Sequence, residues 1–130
     1  MNSQQVNPWT WQDQFGFSQA WRVDDAQSLV FVSGQGPISP EGALVGEGDF
    51  EAQTRQVFEN LHTVLSDAGA SFDAVMKITV YLTDMGTLRD FGRIKAEFIP
   101  GEQPASTALE VGSLALPGMM IEVEAIAAIG

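Results

Sequence analysis

Cysteine is absent from this chain of 130 residues, and basic residues are scarce. Without cysteine the chain can form no disulfide, no thiolate metal site and no thiol nucleophile. Six Lys and Arg residues stand against 17 Asp and Glu residues, which gives a formal charge of −11 at pH 7. Such a surface repels phosphate backbones and anionic lipid headgroups, so neither nucleic acid nor a membrane is an expected partner.

Long apolar runs are also missing. A membrane-spanning helix needs about 18 consecutive apolar residues, and no stretch of the sequence approaches that length. The first five residues, MNSQQ, have neither the basic nor the apolar part of a signal peptide. Together with the lack of disulfides, these features predict a cytoplasmic protein. A hydrophobic content of 45% fits a single globular domain over residues 1–130.

Hydrophobic periodicity predicts five strands and two helices in the order β-β-α-β-α-β-β. The predicted strands cover residues 17–23, 28–33, 75–83, 106–111 and 119–128. The first two strands are expected to form a hairpin, whereas residues 1–15 show no period and are expected to form an irregular N-terminal segment.

Capping signals place the ends of the two predicted helices. Asp49 is an expected N-cap for the first helix, which ends at Gly69. Thr87 and Asp90 resemble a capping box that opens the second helix. A lysine, Lys95, falls on the otherwise apolar face of this second helix, at the spacing of the core positions.

Two helices are too few to cover both faces of a sheet, so the sequence predicts an α+β fold with both helices on one face. Met120, Tyr81 and Ile126 would then project from the other face, and they are apolar for a solvated surface. We therefore expect this second face to be buried against another copy of the chain.

Candidate catalytic residues are few. The single histidine, His62, falls in the middle of the first helix, and a structural or surface role is favoured over that of a general base. Zinc-type metal sites are not expected, because the ligands are lacking. Glu122 and Glu124 lie two residues apart in the last strand and project from one face, about 6.5–7 Å apart. This spacing is typical of a solvated strand face, but it also allows one carboxylate to border a pocket and to handle a proton.

Five segments, in the same order along the chain, resemble the RidA/YjgF family of imine deaminases. They are residues 31–35 (FVSGQ), 51–60 (EAQTRQVFEN), 75–84 (VMKITVYLTD), 104–111 (PASTALEV) and 121–127 (IEVEAIA). The resemblance implies a chorismate-mutase-like α+β fold and a homotrimer whose three sheets form a barrel. It also implies small-molecule clefts between subunits, in which enamines and imines are hydrolysed to a carbonyl compound and ammonia with no cofactor or metal.

The same resemblance assigns roles to individual residues. Glu122 would hold and polarise the attacking water as the catalytic residue. The substrate-binding positions would be Phe17, Ser33, Gly34, Gln35, Gly92, Arg93, Ser106 and Thr107. Three of them depart from the family pattern. Phe17 replaces an aromatic hydroxyl residue, Gly92 replaces a frequent asparagine, and Ser106 replaces the arginine that grips the substrate carboxylate.

The change at Ser106 alters the expected substrate. A guanidinium gives a bidentate grip worth roughly 1.5–3 kcal/mol per charged contact, whereas serine offers one neutral hydrogen bond. We therefore expect a hydrolase for an imine or enamine other than the imino acids derived from 2-aminoacrylate, with a less anionic ligand. The alternative is a non-catalytic trimer that binds a small ligand or acts like a chaperone. A ribonuclease role ranks last because of the charge of −11.

Overall fold

The computed structural model describes residues 1–130 and contains two helices and two sheets. The elements are β1 (Asn2–Val6), a 3-10 helix (Trp11–Phe15), β2 (Ala20–Asp24), β3 (Ser28–Gln35), α1 (Phe50–Asp67), β4 (Val75–Leu82), α2 (Leu88–Phe98), β5 (Ala105–Glu110) and β6 (Ile121–Ile129). The main sheet has the strand order β3-β6-β4-β5. Only the β4–β5 pair is parallel, so the sheet is mixed and the predicted α+β class is confirmed.

The core lies between the main sheet and the two helices. Alternate residues of the central strands β4 and β6 are buried on one face, namely Ile78, Val80, Leu82, Ile121, Val123 and Ala125. Phe58 of α1 stacks on two rings of α2, with centroid distances of 5.8 Å to Phe91 and 4.9 Å to Phe98. This period-two burial explains why the helices cover one face of the sheet and leave the other uncovered.

The predicted ends of α1 are confirmed. The Asp49 side chain accepts a hydrogen bond of 3.0 Å from the Ala52 amide, and Gly69 follows the helix with φ of +80°, which favours glycine. The capping box at Thr87 is wrong. Its hydroxyl donates to the Asp84 carbonyl at 2.6 Å, because a short 3-10 turn at Met85–Thr87 already leads the chain into α2.

Two predictions for the N-terminal part are wrong. Residues 1–15 are not irregular, since β1 pairs antiparallel with β2 in a separate two-stranded sheet. The predicted hairpin does not form, because β3 pairs instead with β6, where Phe31 lies opposite Ile126. The polar β1 has no apolar alternation to mark it as a strand, and the partner of β3 lies far along the chain, in β6. Phe17 also lies before β2 and not within it.

The face of the main sheet away from the helices is apolar and uncovered within one chain. Phe31 is 72% exposed and Leu29 is 57% exposed, and Ile126 and Leu109 are also exposed. We call this surface the open sheet face. None of the helices is both long and apolar enough to cross a membrane.

Candidate functional site

The predicted site residues lie in two groups on opposite sides of the main sheet. The first group, the carboxylate cluster, consists of Glu122, which projects on the side of the open sheet face, and the neighbouring β3 residues Ser33, Gly34 and Gln35. The second group lines a cavity of about 890 Å³ on the helix side and includes Phe17, Gly92, Arg93 and Ser106. A single chain therefore does not bring the predicted catalytic carboxylate together with the residues predicted to grip the substrate.

A β-bulge shapes the carboxylate cluster. Between Val32 and Gln35, β3 advances three residues while its partner β6 advances two, from Ala125 to Val123. Bulges of this kind re-aim side chains, often beside active sites. At Gly34 an added Cβ would lie 2.8 Å from the Cδ atom of Glu122. Glycine at this position therefore leaves room for the Glu122 carboxylate to lie over the strand.

The two carboxylates of β6 have different partners. Glu124 accepts a hydrogen bond from the Tyr81 hydroxyl. This bond and, to a smaller extent, burial raise the pKa of Tyr81. Glu122 is half-buried and makes neither a hydrogen bond nor an ion pair with the rest of the chain. Of the two, Glu122 is the carboxylate whose oxygens remain available to a water molecule or a ligand.

The cavity lies between α2, β5 and the N-terminal 3-10 helix. Ser106 reaches it because alternate residues of β5 face opposite sides of the sheet. Phe17 packs edge-to-face against Trp11 at 5.9 Å, and at Gly92 an added Cβ would meet nothing within 4 Å. Arg93 lines the cavity, but its guanidinium is already bound to the Glu51 carboxylate at 2.8 Å.

Thr107 does not join Ser106 in the cavity. It faces the open side of the sheet, where its hydroxyl accepts a hydrogen bond of 2.7 Å from the Lys77 ammonium. Burial lowers the pKa of Lys77, while the nearby Glu124 acts in the opposite direction. The exposed His62 lies apart from both groups, with its ring 6.0 Å from that of Phe72.

Two cavity residues were not singled out as site residues from the sequence. Lys95 is 5% exposed, and its ammonium donates to the Gly16 carbonyl at 2.7 Å. Burial lowers the pKa of Lys95 to about 8. Gln103 has a buried side-chain oxygen with no hydrogen-bond partner. The position of Lys95 on an apolar helix face was the one signal in the sequence, whereas nothing local marks Gln103.

A family model described as Endoribonuclease L-PSP matches residues 12–129. A RutC family protein from Pyrococcus abyssi is 40% identical over 111 residues, which are 85% of this chain and 84% of that protein. The structure of YyfB from Yersinia pestis, titled a protein of unknown function of the conserved Rid family, has a TM-score of 0.89.

The chain belongs to the RidA/YjgF family. The match to YyfB has 34% identity and covers 99% of this Rid protein and 100% of that chain. Yeast Mmf1 matches with a TM-score of 0.73 and 29% identity, over 97% of this chain and 94% of its own. The resemblance found in the five sequence segments is thus confirmed at the level of family and fold.

Proposed function

We propose that this Rid protein is a hydrolase that converts an imine or enamine to a carbonyl compound and ammonia. The observation that carries the proposal is the unpaired Glu122 carboxylate, which lies over Gly34 at the bulge of β3. A half-buried carboxylate without a hydrogen-bond partner can accept a proton from water, as a general base must. Membership of the RidA/YjgF family supports this reaction class.

The reaction balances without a cofactor. Glu122 takes a proton from water while the water oxygen bonds to the carbon of the C=N group, and it returns that proton to nitrogen, which gives a carbinolamine. Glu122 then takes the hydroxyl proton of the carbinolamine and passes it to nitrogen as the C–N bond breaks, the C=O bond forms and ammonia leaves. Glu122 ends the cycle ionised, so the one residue acts first as base and then as acid.

The active cleft would lie between subunits of a homotrimer whose sheets form a barrel. Two observations support this arrangement. The carboxylate cluster and the cavity lie on opposite sides of one sheet, so a second copy is needed to bring such groups together. The open sheet face also exposes large apolar side chains, among them Phe31 and Leu29, which is typical of a surface buried in an oligomer.

The residues that line the cavity differ from those of a family member with the arginine, so they favour a different substrate. Ser106 and Phe17 leave no guanidinium or phenol at these positions, and Gly92 leaves open space. We infer a substrate other than the imino acids derived from 2-aminoacrylate. The family description names an endoribonuclease, but a chain with charge −11 has little attraction for a phosphate backbone.

Ammonia release tests the proposed reaction. Imines are generated in situ by amino-acid oxidases from a panel of amino acids, and ring-cleavage amines form a second panel. We expect the purified protein to accelerate ammonia release above the spontaneous rate for at least one of these compounds. No acceleration with either panel would reject the hydrolase and leave the non-catalytic ligand-binding or chaperone-like trimer.

The proposed assembly predicts that Phe31→Glu dissociates the trimer. Burying a new carboxylate in an apolar interface is unfavourable, and Phe31, on the edge strand β3, is the most exposed of the large apolar residues of the open sheet face. The molar mass measured by light scattering coupled to size exclusion should fall from three times the chain mass of 14.0 kDa to one times that mass. Val64→Glu is the matched control, because Val64 is an exposed apolar residue of α1 at 37% exposure. A monomeric wild-type protein would refute the trimer.

A further inference from the structure

The cavity gathers positive charge in an acidic protein. Arg89, Arg93 and Lys95 line it, which is half of the chain's six basic residues, and Asp13 is the single acidic residue among its lining. The replacement of arginine by Ser106, taken alone, suggested a less anionic ligand. The charges around the cavity argue for the opposite. Arg93 is paired with Glu51. Arg89 and Lys95, however, have no counter-ion, and such positive charges at a cleft concentrate anionic ligands.

Lys95 is buried without a counter-ion. No carboxylate lies within ion-pair distance of its ammonium, and its one hydrogen bond goes to the carbonyl of Gly16. An ammonium carries three donors, so two remain unused. Gly16 has φ of +70°, a conformation suited to glycine, and this turn presents its carbonyl to Lys95. An isolated buried charge is costly, and that cost is offset when a ligand supplies the opposite charge.

Gln103, which also lines the cavity, leaves one side-chain acceptor unused. Its side-chain nitrogen donates to the carbonyl of Ile99 at 2.6 Å and to that of Gly101 at 3.0 Å. Because both partners are acceptors, the amide can have only this orientation. The side-chain oxygen of Gln103 therefore points away from them, is buried and has no partner. Buried polar groups are nearly always satisfied, so this oxygen indicates a missing donor.

We propose that Lys95 and Gln103 form a recognition subsite for a small carboxylate that carries a neighbouring N–H group. The Lys95 ammonium binds the carboxylate through its unused donors, and the Gln103 oxygen accepts the N–H. Arg89 is exposed at the edge of the cavity and makes no ion pair, so it adds to the attraction for an anion. This subsite deepens the proposed function, because the same cleft would then hold the substrate through a lysine in place of the absent arginine.

Three related probes test both halves of the subsite by isothermal titration calorimetry with the full-length protein at pH 7. N-acetylglycine carries the carboxylate and the N–H group. N-acetylglycinamide lacks the charge, and acetoxyacetate replaces the N–H by an ester oxygen. We expect N-acetylglycine to bind at least about tenfold more tightly than either of the others. Equal affinities, or no binding of N-acetylglycine at millimolar concentration, would overturn the proposal.

Substitutions assign the charge to Lys95. Lys95→Met should weaken N-acetylglycine binding by at least about tenfold and leave N-acetylglycinamide unchanged. Arg22→Met removes the same unit of charge from an exposed residue outside the cavity, and it should change the affinity less than about twofold. An equal loss in both variants would show a general effect of net charge and would reject the subsite.

The pH dependence of binding provides a test that needs no variant to fold. With a Lys95 pKa of about 8, the charged fraction falls about tenfold between pH 7 and pH 9, and the affinity of wild-type protein should fall with it. Asp13, Arg89 and Arg93 share the cavity with Lys95. Lys95→Arg leaves all three in place and keeps a cation, so it should abolish the fall. An affinity of wild-type protein that stays constant to pH 9 contradicts the role of Lys95.

Measurements of probe binding and of imine hydrolysis test the subsite and the proposed reaction independently. N-acetylglycine has no C=N bond, so its binding reports on the subsite without any turnover. If no imine is hydrolysed but the binding pattern holds, the reaction is wrong and the subsite stands. If imines are hydrolysed but the three probes bind with equal affinity, the subsite is wrong and the reaction stands.

Discussion

Glu122→Gln lowers the rate of imine hydrolysis by about 10²–10⁴-fold, whereas Glu124→Gln leaves the rate within a factor of about three. The amide of glutamine fills the same space but cannot take a proton from water. The two carboxylates share one face of β6, and only Glu122 is free of a partner, because Glu124 accepts the Tyr81 hydroxyl. Initial rates of ammonia release under saturating imine measure the effect.

The pair of variants makes this prediction specific. Both remove one negative charge from the same strand, so a general electrostatic effect would lower both rates alike. Gly34→Ala supplies a third variant, since its methyl group would displace the Glu122 carboxylate and should lower the rate without removing the base. Gly112→Ala is its matched control, because nothing lies within 4 Å of the added Cβ. Full activity in Glu122→Gln would exclude Glu122 from the mechanism.

Lys95→Met stabilises the ligand-free protein at neutral pH. Burial lowers the pKa of Lys95 from 10.5 to about 8, which corresponds to roughly 3 kcal/mol of unfavourable free energy in the folded state. Methionine has a similar length and carries no charge. It also leaves the Gly16 carbonyl without its donor, which costs about 1–2 kcal/mol. We expect a net gain of about 1–2 kcal/mol in the free energy of unfolding at pH 7.

The pH dependence of this gain in stability follows from the direction in which the Lys95 pKa is shifted. Below pH 8 the folded protein carries the full penalty of a buried ammonium. Between pH 8 and 10.5 the unfolded chain binds the proton more tightly, so the stability of wild-type protein rises with pH to that of the variant and then above it. Above pH 10.5 the penalty is gone.

Urea unfolding of both proteins at pH 7 and pH 10.5, at one protein concentration, measures the difference. Lys95→Met should be the more stable protein at pH 7, whereas at pH 10.5 the lost hydrogen bond to Gly16 remains and wild-type protein should be the more stable. Arg22→Met, which alters an exposed residue, should show little change at either pH. A variant that is less stable at pH 7 would show that the packing and hydrogen bond of Lys95 outweigh its desolvation.

Local patterns in the sequence predicted much of the fold. The α1 helix could be predicted because its cap at Asp49, its apolar spacing and Gly69 all lie within one segment. The strands β4 and β6 could be predicted because period-two alternation marks a half-buried strand. These features, with the five family-like segments, predicted the fold class and the family, and they led to Glu122 as the catalytic candidate.

Pairings between distant segments could not be predicted. The partner of β3 is β6, about ninety residues further along the chain, and the polar β1 becomes a strand only through β2. Strand pairing depends on which edges meet in space, and no local period encodes that choice. The family resemblance placed Ser106 and Thr107 in one site, although consecutive residues of a strand face opposite sides of the sheet.

The sequence by itself determined the two helices, most of the strands, the family and the absence of an arginine at position 106. Only the tertiary structure decided which groups surround the cavity. It showed that Lys95, a helix residue, brings an ammonium without a counter-ion, and that Gln103, a loop residue, has a side-chain oxygen without a partner. The physical reason is that burial and hydrogen-bond satisfaction are properties of three-dimensional packing, so a lysine without a counter-ion is visible only once its neighbours are known.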